Sequence, residues 1–404
     1  MSDKYRLKKS LLTRRQALTL TAIAAGSACV GASAAPAVTS PRAGARVAAI
    51  LPLSGDLKLF GEQARLGLEV AALEINQSNG VLGRELIIDY FDDEARPTRA
   101  KSMAERVSKS ADYLAVLGPI TSACRNAMSP VLEGAGIPLL YATDYEGGDC
   151  GPSRFYFNSV PNQVTKPLLT YLLDQYAGEV YLLGADYIWP RRMFVSCENI
   201  IASRGRRIAG KQFVPLQGLS DYNSLINDIQ KSNASMVVQA LPGLESEQFV
   251  AAAHRAGLFP QASIGVLGAL ALYTRSIRAI DGVRAFGCSP FVETDGSTRA
   301  KNFVTKAKHT APKGVAISAY AATHYSALSA LVSACAAKED VSREAIIAGL
   351  AGLEYETPSG QLQIDAATHH TSLNMCLAKI EVAGPTMIGT SELIFPDRAC
   401  SAGG

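Results

Sequence analysis

Four short stretches concentrate the hydroxyl, phenol and carboxylate groups that could hold a small molecule. Gly118-Pro119-Ile120-Thr121-Ser122 follows one apolar run, and Tyr141-Ala142-Thr143-Asp144-Tyr145-Glu146-Gly147 closes another. Gly184-Ala185-Asp186-Tyr187-Ile188-Trp189-Pro190 and Leu241-Pro242-Gly243-Leu244-Glu245 follow two more. Thr121 and Ser122 can cap a helix or, equally, grip a carbonyl or carboxylate oxygen beside its free N–H groups. Tyr141 and Thr143 belong either to a polar loop or to a ligand wall. Tyr187, with Trp189, suits a small flat ligand or an interface. Glu245 either complements a helix dipole or accepts N–H donors. These groups suit holding rather than reacting. The chain has no G-x-S-x-G, Walker or G-x-G-x-x-G sequence, and nothing joins a nucleophile to a base and oxyanion donors, so no enzyme and no cofactor is expected. His369-His370 is no metal pair, because strand neighbours point to opposite faces.

Such stretches matter only if the fold brings them together. Short apolar runs near 46–53, 85–91, 113–117 and 137–141 alternate with helical patterns near 98–110 and 122–133. The alternation resumes with strands near 180–183, 207–214, 235–240 and 263–266 and helices near 190–203, 222–231 and 245–256. This pattern predicts an α/β fold with parallel sheets covered by helices on both faces. Beyond 288–290 it changes to three helical stretches, about 297–310, 317–337 and 342–353, then to antiparallel tail strands at 360–366, 371–381 and 386–394. Polar, proline-bearing segments at 158–163 and 289–295 are candidate crossovers between two lobes. In open parallel sheets ligands bind beyond the carboxyl ends of the strands, where the four stretches lie.

The 404 residues carry 39 Lys and Arg against 36 Asp and Glu. Six of those bases and one acid fall in residues 1–34, so the remainder has two more acids than bases. No basic stripe suggests nucleic acid. Arg14-Arg15, an apolar run from Ala17 to Ala28 and Ala32-Ser33-Ala34 form an export signal over 1–34, with the arginine pair pointing to the twin-arginine route and a periplasmic destination. A general secretory signal and a lipoprotein anchored through Cys29 are the alternatives. Seven cysteines follow, an odd number, and a Cys376–Cys400 pair would tie down the tail, although spacing alone does not establish it. Cys197 and Cys335 read as core residues.

These residues resemble type I periplasmic solute-binding proteins of the branched-chain amino-acid ABC transporter class. The likeness spans about 45–394 and opens on LPLSG and GEQARLGLEVAALEINQSNGVLGRELIIDYFDDEARP. Three segments, LLYATDYEGGDCGPSRFYFNSVPNQ, YLLGADYIWPRR and YETPSGQLQIDAATHHTSL, look like the urea- and short-chain-amide-binding branch. The resemblance implies two doubly wound parallel-sheet lobes joined by a three-crossover hinge, with lobe 1 at 45–160 plus 291–357 and lobe 2 at 161–290 plus 358–396. It implies a urea, short-chain amide or amino-acid ligand and an ABC permease as partner. An amide-responsive sensor is the other role the branch allows. The implied ligand-binding residues are Thr121, Ser122, Tyr141 and Thr143 from one lobe and Tyr187 and Glu245 from the other. Two positions depart from the branch: Ile120 replaces a tyrosine, and Glu245 replaces a neutral polar residue, as in leucine-type binders.

Overall fold

The computed structural model describes residues 44–216, 218–259, 262–268, 280, 282–397 and 400. The expected export signal, with Arg14-Arg15 and Cys29, lies outside them. A first sheet grows from strand–helix alternation: β1 Ala45–Leu51, α1 Lys58–Gln77, β2 Leu86–Asp92, α2 Pro97–Ser108, β3 Tyr113–Leu117, α3 Ser122–Gly134, β4 Leu139–Tyr141 and β5 Arg154–Tyr156. The strands run in the order β2-β1-β3-β4-β5, all parallel.

The period of two along β1 explains the layering. Val47, Ala49 and Leu51 enter a core with Leu68 of α1, whereas Ala48 and Ile50 face Ala104 of α2 and Met128 of α3. Pro97 stands in the first turn of α2, where its missing N–H costs nothing.

A second set follows: α4 Pro161–Gln175, β6 Val180–Ala185, α5 Ile188–Ser203, β7 Ile208–Val214, α6 Asn223–Lys231, β8 Met236–Ala240, α7 Gly243–Arg255, β9 Ser263–Val266 and β10 Ala285–Ser289. The chain then adds α8 Thr298–Thr310, α9 Ala319–Lys338 and α10 Arg343–Leu350; α9 and α10 pack back on the first sheet through Ala327, Leu331 and Ile346, and α8 packs on α1 through Phe303 and Leu66. The tail comprises β11 Glu354–Thr357, β12 Gly360–Ile364, β13 Thr371–Ser372, β14 Cys376–Glu381 and β15 Gly384–Thr390.

The second sheet runs β15-β14-β10-β9-β8-β6-β7, with β14 antiparallel to both β10 and β15. It is therefore mixed rather than wholly parallel, because the tail strands join its edge. Its two faces alternate as in β1: Leu183 and Val237 meet Ile226 and Phe249, while Leu182 and Val238 meet Leu169 and Phe194. Strands β11, β12 and β13 form a small antiparallel sheet whose Leu362 and Ile364 enter different cores.

Cys150, in the β4–β5 loop, is the residue bonded to Cys400, in place of the Cys376 considered above. Cys376 is a buried free thiol in β14. The tail reaches Cys150 past the start of α4, where Asn162 Nδ2 donates to the Phe395 carbonyl at 2.8 Å. Among the described residues no helix is long and apolar enough to cross a membrane.

Candidate functional site

The turn after β3 depends on Gly118. Its φ is +99°, and a Cβ there would lie 2.2 Å from the Ile50 carbonyl oxygen, so only glycine fits. Thr121 is the N-cap of α3, its Oγ1 accepting the Cys124 N–H at 3.2 Å. Tyr141 is buried and its hydroxyl donates to the Ile120 carbonyl at 3.0 Å. Thr143, also buried, donates to the Pro119 carbonyl at 3.3 Å. Two of the predicted ligand residues, Tyr141 and Thr143, thus brace the β4 end against the β3–α3 turn. Ser122 is half-buried and donates to Glu146 Oε2 at 2.9 Å.

Beneath that loop lies a buried cation. Arg125, 1 % exposed, has its guanidinium over the rings of Tyr141 and Tyr145 at 4.8 and 4.4 Å. Its Nε stands 2.8 Å from Asp149 Oδ2, close as a charge pair but off-line for a hydrogen bond. Its terminal nitrogen is 3.7 Å from Glu146. Arg154 adds a second cation on Asp149 at 2.8 Å and reaches Glu133 at 3.1 Å. The Tyr156 hydroxyl donates to Asp149 at 2.8 Å. His370 stacks on Tyr156 with centroids 4.1 Å apart and is hydrogen-bonded to the Tyr145 hydroxyl. His369 stacks on Phe155. The histidine pair thus packs aromatic rings, and the described residues contain no metal-holding cluster.

From the second sheet, Tyr187 stands at the N-cap position of α5, half-buried and stacked beside Trp189 at 6.4 Å. Burial raises its phenol pKa, and the charges of Asp144 and Glu146 raise it further. Glu245 sits in the first turn of α7 against Gly218 and near Tyr222, within the body of the second sheet's layer.

Between the two sheets is a cavity of about 20 Å³, room for one or two ordered waters. Asp144, Asn158, Ser159, Ser318 and Tyr320 line it from one side, and Gly268, Cys288 and Ser289 from the other. None of the six predicted residues lines this cavity; Asp144, next to Thr143, does. The Tyr320 hydroxyl donates to Asp144 Oδ1 at 2.6 Å. Burial raises the Asp144 pKa, offset in part by that bond. Ser318 is fixed by Gln63, which accepts both its N–H and its hydroxyl. Asn158 donates to the Ala142 carbonyl at 3.2 Å. Asn158, Ser159 and Ser289 fall in the two polar segments read as crossovers, which was a usable signal. Tyr320 gave none, being one of two phenols in a helix of mostly small residues.

Polar groups of both sheets face one space, which as it stands has room for water alone; a larger polar molecule touched from both sides would enter only by parting them. A family model described as periplasmic binding protein matches residues 44–385. "Leu/Ile/Val-binding protein homolog 8" of Brucella suis biovar 1 (strain 1330) is 26% identical over 369 residues, covering 85% of this chain and 88% of its own. A Rhodopseudomonas palustris ABC transporter solute-binding protein in complex with benzoate superposes with a TM-score of 0.76 at 18% identity, covering 88% of this chain and 98% of its own. The branched-chain amino-acid transporter substrate-binding protein of Streptococcus pneumoniae in complex with isoleucine gives 0.76 at 20% identity, with 87% and 100% covered. The two structures share the fold. With the model match spanning both sheets and the space between them, the chain belongs to the periplasmic binding protein family.

Proposed function

We propose that this chain is the exported solute-binding component of an ABC importer, and that it captures an amino acid between its two sheets for a membrane permease. The observation that carries the reading is the cavity bounded by Asp144, Ser318 and Tyr320 on one side and Gly268, Cys288 and Ser289 on the other. A ligand favours a closed form only through contacts made in that form, so residues from both halves must touch it. The Leu/Ile/Val-binding name of the Brucella relative supports an amino acid over urea or a short amide.

A second reading, urea or a short-chain amide, is favoured by one observation. Tyr187 and Trp189 stack at 18° between ring planes, a surface that suits a flat nitrogen-rich group. Titration calorimetry of the mature protein with leucine, alanine, urea and acetamide separates the two. Amino-acid heat with none from the amides is expected; the reverse would promote the amide. Release of ammonia from acetamide would instead make the chain an amidase and overturn both.

A further inference from the structure

We propose that Asp144, rather than Glu245, receives the protonated nitrogen of the ligand, with the Ser289 hydroxyl as a second polar contact across the cavity. The inference rests on the amino-acid reading and names the residue that would set its specificity.

The β4–β5 loop carries Asp144, Glu146 and Asp149. Arg125 stands beside Glu146 and Asp149, and Arg154 beside Asp149. Asp144 accepts from the neutral Tyr320 phenol and from its own backbone N–H and, among the described residues, has no cation. A half-buried carboxylate without a cation is costly, and a ligand ammonium would remove that cost. The raised Asp144 pKa reports the same unmet demand.

Ser289 is 7 % exposed, lines the same cavity, and its hydroxyl has no partner among the described residues. Ser289 ends β10 of the second sheet, whereas Asp144 follows β4 of the first. One small ligand could therefore join them. Glu245 packs instead on Gly218 and lines no part of the cavity.

Asp144 also stands at the amino end of α9, so a purely structural role predicts lost stability and no change in ligand choice. The test compares leucine with its des-amino analogue, 4-methylpentanoate, and alanine with propanoate, on the wild type, D144N and E245Q. Thermal melts check folding, and D144S gives the same readout should D144N fail to melt cooperatively. The wild type is expected to prefer each amino acid over its analogue, and loss of the charged contact should cut that preference at least ~10-fold in D144N. E245Q should retain it. A folded D144N that keeps the full preference, or an E245Q that loses it, would overturn the assignment and leave the proposed function standing. A wild type that binds neither amino acid would defeat the proposed function, and this assignment with it.

Discussion

Replacing Arg125 with methionine should be among the most damaging single changes in the first sheet's layer. The side chain is almost fully buried, so its charge is compensated only by the protein. The variant removes one partner of the Arg125–Asp149 pair, whose side chains are 2 % and 19 % exposed. Breaking a buried pair costs ~3–5 kcal/mol, since the remaining charge stands in low dielectric. Arg154 still touches Asp149 at 2.8 Å, which places the loss at the lower end of that range. Methionine restores dispersion against Tyr141 and Tyr145 but not the attraction of a cation for two ring faces, about 1 kcal/mol or more each where desolvated. A total of ~5 kcal/mol is expected on these grounds. Urea unfolding followed by circular dichroism would measure it. R125K should recover only part, because an ammonium cannot lie flat on the rings while reaching Asp149 and Glu146 together. A loss below ~1 kcal/mol in R125M, with the denaturant slope unchanged, would refute the reasoning.

Two further predictions concern stability. The Cys150–Cys400 bond spans 250 residues, and loop-closure entropy puts its upper stabilisation at about 5 kcal/mol. C400S, or thiol reduction, should lower the urea midpoint accordingly; an unmoved midpoint would count against the pairing. Acid should also destabilise the protein. Burial holds the His324 and His370 pKa values down to about 4, whereas unfolded histidine takes its proton near 6.5, so stability is lost as pH falls between those values, by up to ~3 kcal/mol each. Asp93 runs oppositely. Burial raises its pKa to about 6, so its folded form gains up to ~3 kcal/mol as pH falls towards 4. Unfolding at pH 7 and pH 4 should show a net loss that D93N deepens; equal stability at the two pH values would contradict both assignments.

The alternating strands were legible because each central strand is apolar on both faces, as β1 and β6 show. Strands β5 and β10 were not. Arg154–Tyr156 is three residues long after a Gly- and Pro-containing loop, and AFGCS is too short and small-residued to stand out. At the site, the strand-end rule picked out the Tyr141–Gly147 stretch, of which Asp144, and neither Tyr141 nor Thr143, lines the cavity. The Tyr141 and Thr143 hydroxyls are consumed by carbonyls of the preceding turn, and residue type does not reveal which hydroxyls are satisfied locally. Glu245 had a dipole-complementing alternative, and its place in the first turn of α7 is compatible with that role. The partner of Cys400 was unreadable because it depends on the path of a tail that leaves the second sheet and ends against the first.

That path has a mechanical consequence. The tail leaves β15 on the second sheet, pairs Leu373 with Ile394, grips Asn162 and is bonded to a loop of the first sheet. The two halves are thus stitched along one border by a covalent strap besides the chain's own passages. Any parting of the halves must swing like a cover about its spine, and the strap limits how wide the page can fall open.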